Sequence, residues 1–218
     1  QKSMTKKTVI LTNHSLRYYA GSELTTFELA REFLRRDWDV YVACFELSPA
    51  IKDLFKPLEI SWINLGEEQF PLTNCNVDLV WGHHFTTFDR LFAHHRIQSE
   101  KSVFVSLSPF EPLESPPIYA NNLSAIGANS IENFNTLTQQ GFPSERIFLF
   151  ENSVSEDYFS LQPRKKSDSP CSIAVISNHV PNEIRELKGN NEQISIDFYG
   201  FEYQSVLITK EILSQYDL

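Results

Sequence analysis

Two adjacent histidines, His83 and His84, close the apolar run Val77–Gly82, and polar residues also end the other runs that read as strands. Those ends carry Asn13-His14, Ser106 to Ser108, Asn129-Ser130, Asn152-Ser153 and, later, Ser177-Asn178-His179, so four of the six histidines share them. Imidazoles beside hydroxyls and carboxamides can hold hydroxyl or phosphoryl oxygens, and an imidazole can also carry a proton near neutral pH. In an open parallel sheet, ligands bind outside the carboxyl ends of the strands, where the loops converge. The opposite ends hold mostly Lys, Arg and Asp and no histidine. The candidate residues from this pattern are His83, His84, Asn129, Ser130 and Asn152.

Gly21-Ser22-Glu23 forms a second candidate, because a loop that leaves a strand and enters a helix offers free N–H groups and the positive end of the helix dipole. Gly21 allows close backbone approach to a ligand, and Ser22 is placed to cap the helix. Glu23 partly cancels the dipole, so the same residues also fit a plain turn and cap. Other chemistries are excluded. No two glycines stand in G-x-G spacing, and neither a phosphate loop nor a His-Glu-x-x-His motif occurs. Cys44, Cys75 and Cys171 are odd in number and far apart, which argues against a disulfide framework or zinc site. Asp37-Trp38-Asp39 matches a metal-holding Asp-x-Asp pattern, but it lies on the edge away from the polar strand ends and reads as a solvated turn. The expectation is no metal and no cofactor.

The elements needed to position these groups alternate along the chain. Strands are expected at 8–14, 39–46, 60–65, 77–83, 102–108, 123–130 and 146–153, with helices at 23–36, 50–55, 86–96 and 131–140. In the first helix Leu24, Phe27, Ala30, Phe33 and Leu34 recur at spacings of three and four, and Gly141 ends the last one. The Pro-rich stretch 108–120 is a loop. This is an α/β pattern, a Rossmann-like doubly wound parallel sheet over residues 1–159. Residues 160–170 are polar and proline-bounded and read as a linker. Residues 171–218 restart the pattern as a partial βαβα unit: strands at 171–178 and 194–200, helices at 181–187 and 205–216. The chain reads as if cut at Leu218.

With 218 residues, 41% of them hydrophobic, the chain can bury a sizeable core. A net charge of −9 argues against wrapping a nucleic acid, since phosphate contact needs a concentrated basic surface. No apolar run approaches the roughly 20 residues that cross a bilayer, and the N-terminus lacks a signal-peptide layout. A cytoplasmic protein is expected. Arg35-Arg36 and Arg164-Lys165-Lys166 leave room for a peripheral contact at the inner membrane face.

Four segments in order resemble one family. "YAGSELTTFELAREFLRRDWDVYV" (19–42) is similar to the first loop and helix of GT-B-fold glycosyltransferases, especially the retaining enzymes of family 4. "DLVWGH" (78–83) is similar to a strand of that family that ends in a site histidine. "GFPSERIFLFENSVSEDYF" (141–159) resembles the closing segment of the first domain, and "IAVISNHVPNEIREL" (173–187) the opening of the second. The chain departs from the pattern at Ala20, Asp37-Trp38, Ser153 and Ser155. The carboxylate pair that the family carries late in its second domain is absent from these 218 residues.

The resemblance implies transfer of a sugar from a nucleotide-sugar donor to a sugar or lipid-linked acceptor, with retention at the anomeric carbon and no metal. The setting it implies is bacterial envelope polysaccharide synthesis. It makes His83 the first-choice catalytic residue, facing an interdomain cleft. His84, Gly21, Ser22, Glu23, Asn129, Ser130 and Asn152 then become substrate-binding. The first domain would serve the acceptor, and this chain alone would be inactive. A non-catalytic transferase-like scaffold and a sugar-nucleotide epimerase are the alternatives.

Overall fold

The computed structural model describes residues 6–72, 76–151, 171–177, 180–190, 194–200 and 203–216. The chain divides into two compact units, one from Gln1–Arg17 and Gly21–Asn152, the other from Tyr18–Ala20 and Ser153–Leu218. The expected linker at 160–170 and Asn152 lie outside the described residues, as do Asn178 and His179.

The first unit holds β1 (Thr8–Thr12), β2 (Ser15–Leu16), α1 (Gly21–Arg35), β3 (Asp39–Cys44), β4 (Glu46–Leu47), α2 (Pro49–Phe55), β5 (Ser61–Asn64), β6 (Asn76–Gly82), α3 (Phe85–Asp89), β7 (Gln98–Ser106), β8 (Ala125–Ala128), α4 (Ile131–Gln139) and β9 (Ile147–Leu149). Seven strands form one parallel sheet in the order β5-β3-β1-β6-β7-β8-β9. The chain runs outward from β1 to β5, then returns to β6 on the other side of β1. That reversal is a topological switch point, the place where a doubly wound sheet opens a crevice at its carboxyl edge. The doubly wound architecture expected from the alternation is therefore present.

The central strands are apolar on both faces because helices cover both, as parallel sheets require. Val9, Ile10, Val80, Phe104 and Val105 are at most 0% exposed, and Ile126 is 2% exposed. Phe88 of α3 packs edge-on against Phe104 at 5.4 Å, and Leu91, Leu137 and Ile147 extend the same cluster. Asp37 sits in the turn between α1 and β3 with φ 62°, a left-handed conformation at the place where the resembled motif has glycine. Lys6 pairs with Asp39 at 3.1 Å and Asp37 at 3.6 Å, so the Asp-x-Asp triplet is an exposed, ion-paired turn on the amino edge.

Several boundaries differ from expectation. α1 begins at Gly21, so Ser22 lies inside its first turn, and its hydroxyl donates to Glu23 Oε2 at 2.8 Å instead of capping the helix. The helix expected at 86–96 is α-helical only to Asp89 and continues as a π-turn over Arg90–His94. Arg90 reaches the Leu65 and Glu67 carbonyls at 2.7 and 3.0 Å, and His95 N donates to Arg90 O at 3.0 Å, the wider spacing of a π-turn. A short parallel ladder, Ser15–Leu16 with Glu46–Leu47, extends β1 and β3 beyond the main sheet and has no strong periodic signal.

The second unit contains β10 (Cys171–Ile176) paired in parallel with β11 (Ile194–Tyr199), then α5 (Asn182–Asn190) and α6 (Lys210–Leu213). The helix expected at 205–216 shrinks to these four residues of α6. Gln204 bridges to Tyr199, and Thr209 caps α6 by accepting from Ile212 N at 3.4 Å, so the backbone before Thr209 is used otherwise. Tyr216 closes the unit through its hydroxyl, 2.5 Å from that of Tyr199 and donating to Asp197 at 2.9 Å. Among the described residues no helix is long and apolar enough to cross a membrane.

Candidate functional site

At the switch point β1 and β6 end side by side, with Thr12 opposite Gly82, and His83 N donates to Thr12 O at 3.1 Å. Asn13-His14 and His83-His84 thus leave the sheet at one place on its carboxyl edge. Gly82 has a steric reason to be glycine. A Cβ there would fall 1.7 Å from Thr12 Oγ1 and 3.0 Å from Phe88 Cε2. The Thr12 and Thr87 hydroxyls meet at 2.8 Å, and Thr87 Oγ1 lies 2.9 Å from the carbonyls of both His83 and His84. These threonines draw α3 onto the strand ends.

The twin imidazoles differ sharply. His83 is 1% exposed. Its Nδ1–H donates to Val105 O at 3.3 Å, which leaves the lone pair on Nε2 buried without a partner among the described residues. Burial lowers its pKa to about 4, with Glu114 opposing and His84 adding to the shift, so the ring is neutral at pH 7. The preferred catalytic candidate is therefore enclosed behind the strand end.

His84 turns outward because its backbone adopts φ 68° and ψ 115°, a costly conformation for a residue with a Cβ. Its Nδ1 accepts from His14 N at 3.1 Å, which fixes the proton on Nε2, and Nε2 lies 3.1 Å from Glu114 Oε1. The other carboxylate oxygen of Glu114 accepts from Leu107 N at 2.9 Å. Both nitrogens of His84 are thus committed. The ring braces the β1 loop against the long loop between β7 and β8.

His14 lies edge-on to His84 at 6.2 Å and tilted against Phe45 at 5.1 Å, with Nδ1 2.9 Å from Thr86 Oγ1. Desolvation, followed by His84, lowers its pKa, while Glu46 opposes the change. Asn13 ties the same loop to α1 by donating to Thr26 Oγ1 at 3.4 Å, and Thr26 donates in turn to Ser22 O at 2.8 Å. A continuous chain of contacts therefore runs from the first turn of α1 through Asn13 and His14 to His84 and Glu114. Among the described residues, neighbours in the chain and its own helix backbone aside, nothing lies within 4 Å of where a Cβ on Gly21 would stand, so its backbone is open to close approach. Glu23, by contrast, is only 6% exposed.

Asn129 and Ser130 mainly shape this edge. The Asn129 carboxamide donates to Leu107 O, and Ser130 caps α4 by accepting from Asn133 N at 3.1 Å. Asn133 was missed from sequence and is 0% exposed; its Nδ2 donates to Ser106 O at 2.8 Å, Ser106 Oγ at 3.1 Å and Asn129 Oδ1 at 3.2 Å. Asn133→Ala should cost about 2 kcal/mol, the size of a buried polar group left unpaired, and a denaturant titration reads this directly. An unchanged midpoint would show that the edge does not depend on Asn133.

Glu114 was also missed. Two glutamates, Glu111 and Glu114, stand in the Pro-rich loop, and nothing in the sequence says which one folds inward. A cavity of about 400 Å³ lies on the opposite edge, lined by Asn76, Asp78, Gln98 and Glu100. Its Asp78 is already committed to Thr8 N at 2.7 Å, and no histidine reaches it. The carboxyl edge is the stronger candidate. Among the described residues no three His, Cys, Asp or Glu side chains gather as a metal site.

No family model matches the sequence, and no curated protein matches it. Solved structures do. HepE of Anabaena in complex with UDP and glucose is 15% identical with a TM-score of 0.64 over 88% of this chain and 60% of its own. The lipopolysaccharide outer core galactosyltransferase WaaB in its apo form is 10% identical with a TM-score of 0.59 over 90% and 62%. The fold is that of GT-B glycosyltransferases. A putative UDP-N-acetylglucosamine 2-epimerase of Listeria monocytogenes follows at 12% identity and a TM-score of 0.51, over 89% and 63%. The chain spans about 60% of the length of these GT-B-type proteins.

Proposed function

We propose that the protein containing this chain is a nucleotide-sugar-dependent glycosyltransferase, and that its first unit presents the carboxyl edge of β1 and β6 to the substrates. One observation carries the reading. At the switch point, the open turn at Gly21, His14, and the braced pair His84–Glu114 are linked in one network. That is where a sheet of this kind binds ligands. The likeness to HepE, solved with UDP and glucose, supports a sugar nucleotide as donor. The likeness to WaaB supports a sugar or lipid-linked acceptor of the bacterial envelope, with the peripheral membrane contact that such an acceptor brings.

In such a transfer, positive charge grows on the sugar ring and negative charge on the leaving diphosphate, so positioning and electrostatics do most of the work. The positive end of the helix dipole at the first turn of α1 suits an anionic oxygen. Retention of anomeric configuration and independence from a metal complete the proposal. Asn152 belongs to it as a wall residue on the strength of the resemblance alone. The full-length protein should be stabilised by at least one of a panel of nucleotide sugars in thermal shift. Proton NMR of the product should show the donor's anomeric configuration, with turnover unchanged by EDTA. An inverted product would remove retention, and stabilisation without transfer to any acceptor would favour the scaffold.

A second reading, a sugar-nucleotide epimerase, rests on the epimerase structures at TM-scores of 0.51. It predicts a new nucleotide sugar with no acceptor present.

A further inference from the structure

We infer that His14, not His83 or His84, is the imidazole that contacts the substrate, and that it takes a sugar hydroxyl while His84 and Glu114 act as positioning residues. The substrate part of this inference rests on the transferase reading above. Of the three histidines at this edge, two have no nitrogen to offer. His83 is 1% exposed with its Nε2 sealed inside, and His84 uses Nδ1 for His14 N and Nε2–H for Glu114. His14 is partly exposed, and its Nδ1 is held by Thr86 while Nε2 has no partner among the described residues.

The ring of His14 is fixed from three sides, by the Phe45 ring, the His84 ring and the Thr86 hydroxyl. A side chain held this firmly presents Nε2 at little entropic cost. The choice of a hydroxyl follows from charge. Desolvation lowers the pKa of this imidazole, and the Glu46 carboxylate that faces it already holds the Arg17 guanidinium at 3.2 Å, so among the described residues the site offers a phosphate dianion no unspent cation. A neutral imidazole can accept from or donate to a hydroxyl in either tautomer.

The brace gives Glu114 a defined task. One carboxylate oxygen takes His84 Nε2–H and the other takes Leu107 N–H, and a carboxamide has only one acceptor oxygen for the two donors. Glu114→Gln should therefore release one of them and loosen the ring that orients His14.

The test is carbethoxylation of the full-length protein with diethyl pyrocarbonate, mapped by mass spectrometry. His14 should be modified at least tenfold faster than His83 or His84, and Glu114→Gln should narrow the gap between His14 and His84. Equal reactivity of His14 and His84 in the wild type would overturn the brace. The nucleotide sugar that stabilises the protein should slow modification of His14 at least tenfold, while its nucleoside diphosphate alone should not. Protection by the diphosphate alone would overturn the hydroxyl assignment.

His14→Ala should raise KM for the sugar-bearing substrate at least tenfold with kcat changed less. A ligand that binds with His14 reactivity and KM both unaltered would overturn the contact and leave the transferase reading standing. If no nucleotide sugar binds the wild type, the transferase reading fails and takes the substrate contact with it, while the modification pattern still decides the brace.

Discussion

Gly82→Ala should destabilise the protein by about 3 kcal/mol, the upper end of what overpacking a buried site costs. The new Cβ would stand 1.7 Å from Thr12 Oγ1, 2.9 Å from Thr12 Cβ and 3.0 Å from Phe88 Cε2. None of these atoms can swing away cheaply. Thr12 is β-branched, 1% exposed and bonded to Thr87, while Phe88 is fully buried against Phe104. Relief requires breaking the Thr12–Thr87 contact, worth about 1 kcal/mol, and parting β1 from β6 where they align the loops of the site. Denaturant unfolding measures the loss. Thr12→Ala in the same chain should recover part of it, because it removes the atom at 1.7 Å. Wild-type stability in Gly82→Ala would mean that the strand ends are less tightly joined than the structure places them.

Acid should destabilise the wild type through His83 in a defined window. Its folded pKa lies near 4 because burial disfavours the charged ring, while an unfolded histidine titrates near 6.5. Between these values the unfolded chain binds the proton and the folded chain does not, so stability falls as pH drops from about 6.5 towards 4. The full separation corresponds to about 3 kcal/mol. His14 and His95 are shifted the same way, so the informative quantity is the difference between wild type and His83→Gln. A glutamine can still donate to Val105 O, and the variant should lose most of the slope. Equal slopes would place His83 in contact with solvent.

How much of this was legible depends on the residue. The alternation of apolar runs and amphipathic helices announced the α/β sheet, and the polar strand ends marked its carboxyl edge. Both follow from local pattern, since the period of apolar residues reports which face is covered. The short ladder of Ser15–Leu16 with Glu46–Leu47 was not legible, because two-residue strands carry no period. The apolar residues before Thr209 fit a helical stripe by period, yet Gln204 pairs with Tyr199 and α6 is confined to Lys210–Leu213. The place of Ser22 before an apolar stripe suits a cap, yet the helix starts at Gly21, two residues earlier than that stripe implies, and the hydroxyl turns to Glu23.

The candidate site divides along the same line. By itself the sequence determined which strand ends are polar, that His83 and His84 close one of them, and that the Gly21-Ser22-Glu23 loop leads into a helix. Only the tertiary structure decided which imidazole is enclosed, which is spent on a brace, and which keeps a free nitrogen. Adjacent residues point in opposite directions, and φ 68° at His84 redirects its ring towards His14 and Glu114, 70 residues before and 30 residues after in the chain's numbering. A hydrogen bond between residues so far apart leaves no periodic trace in sequence. It is set by the register of β1 against β6 and by a loop whose inward glutamate is selected only when the sheet is assembled.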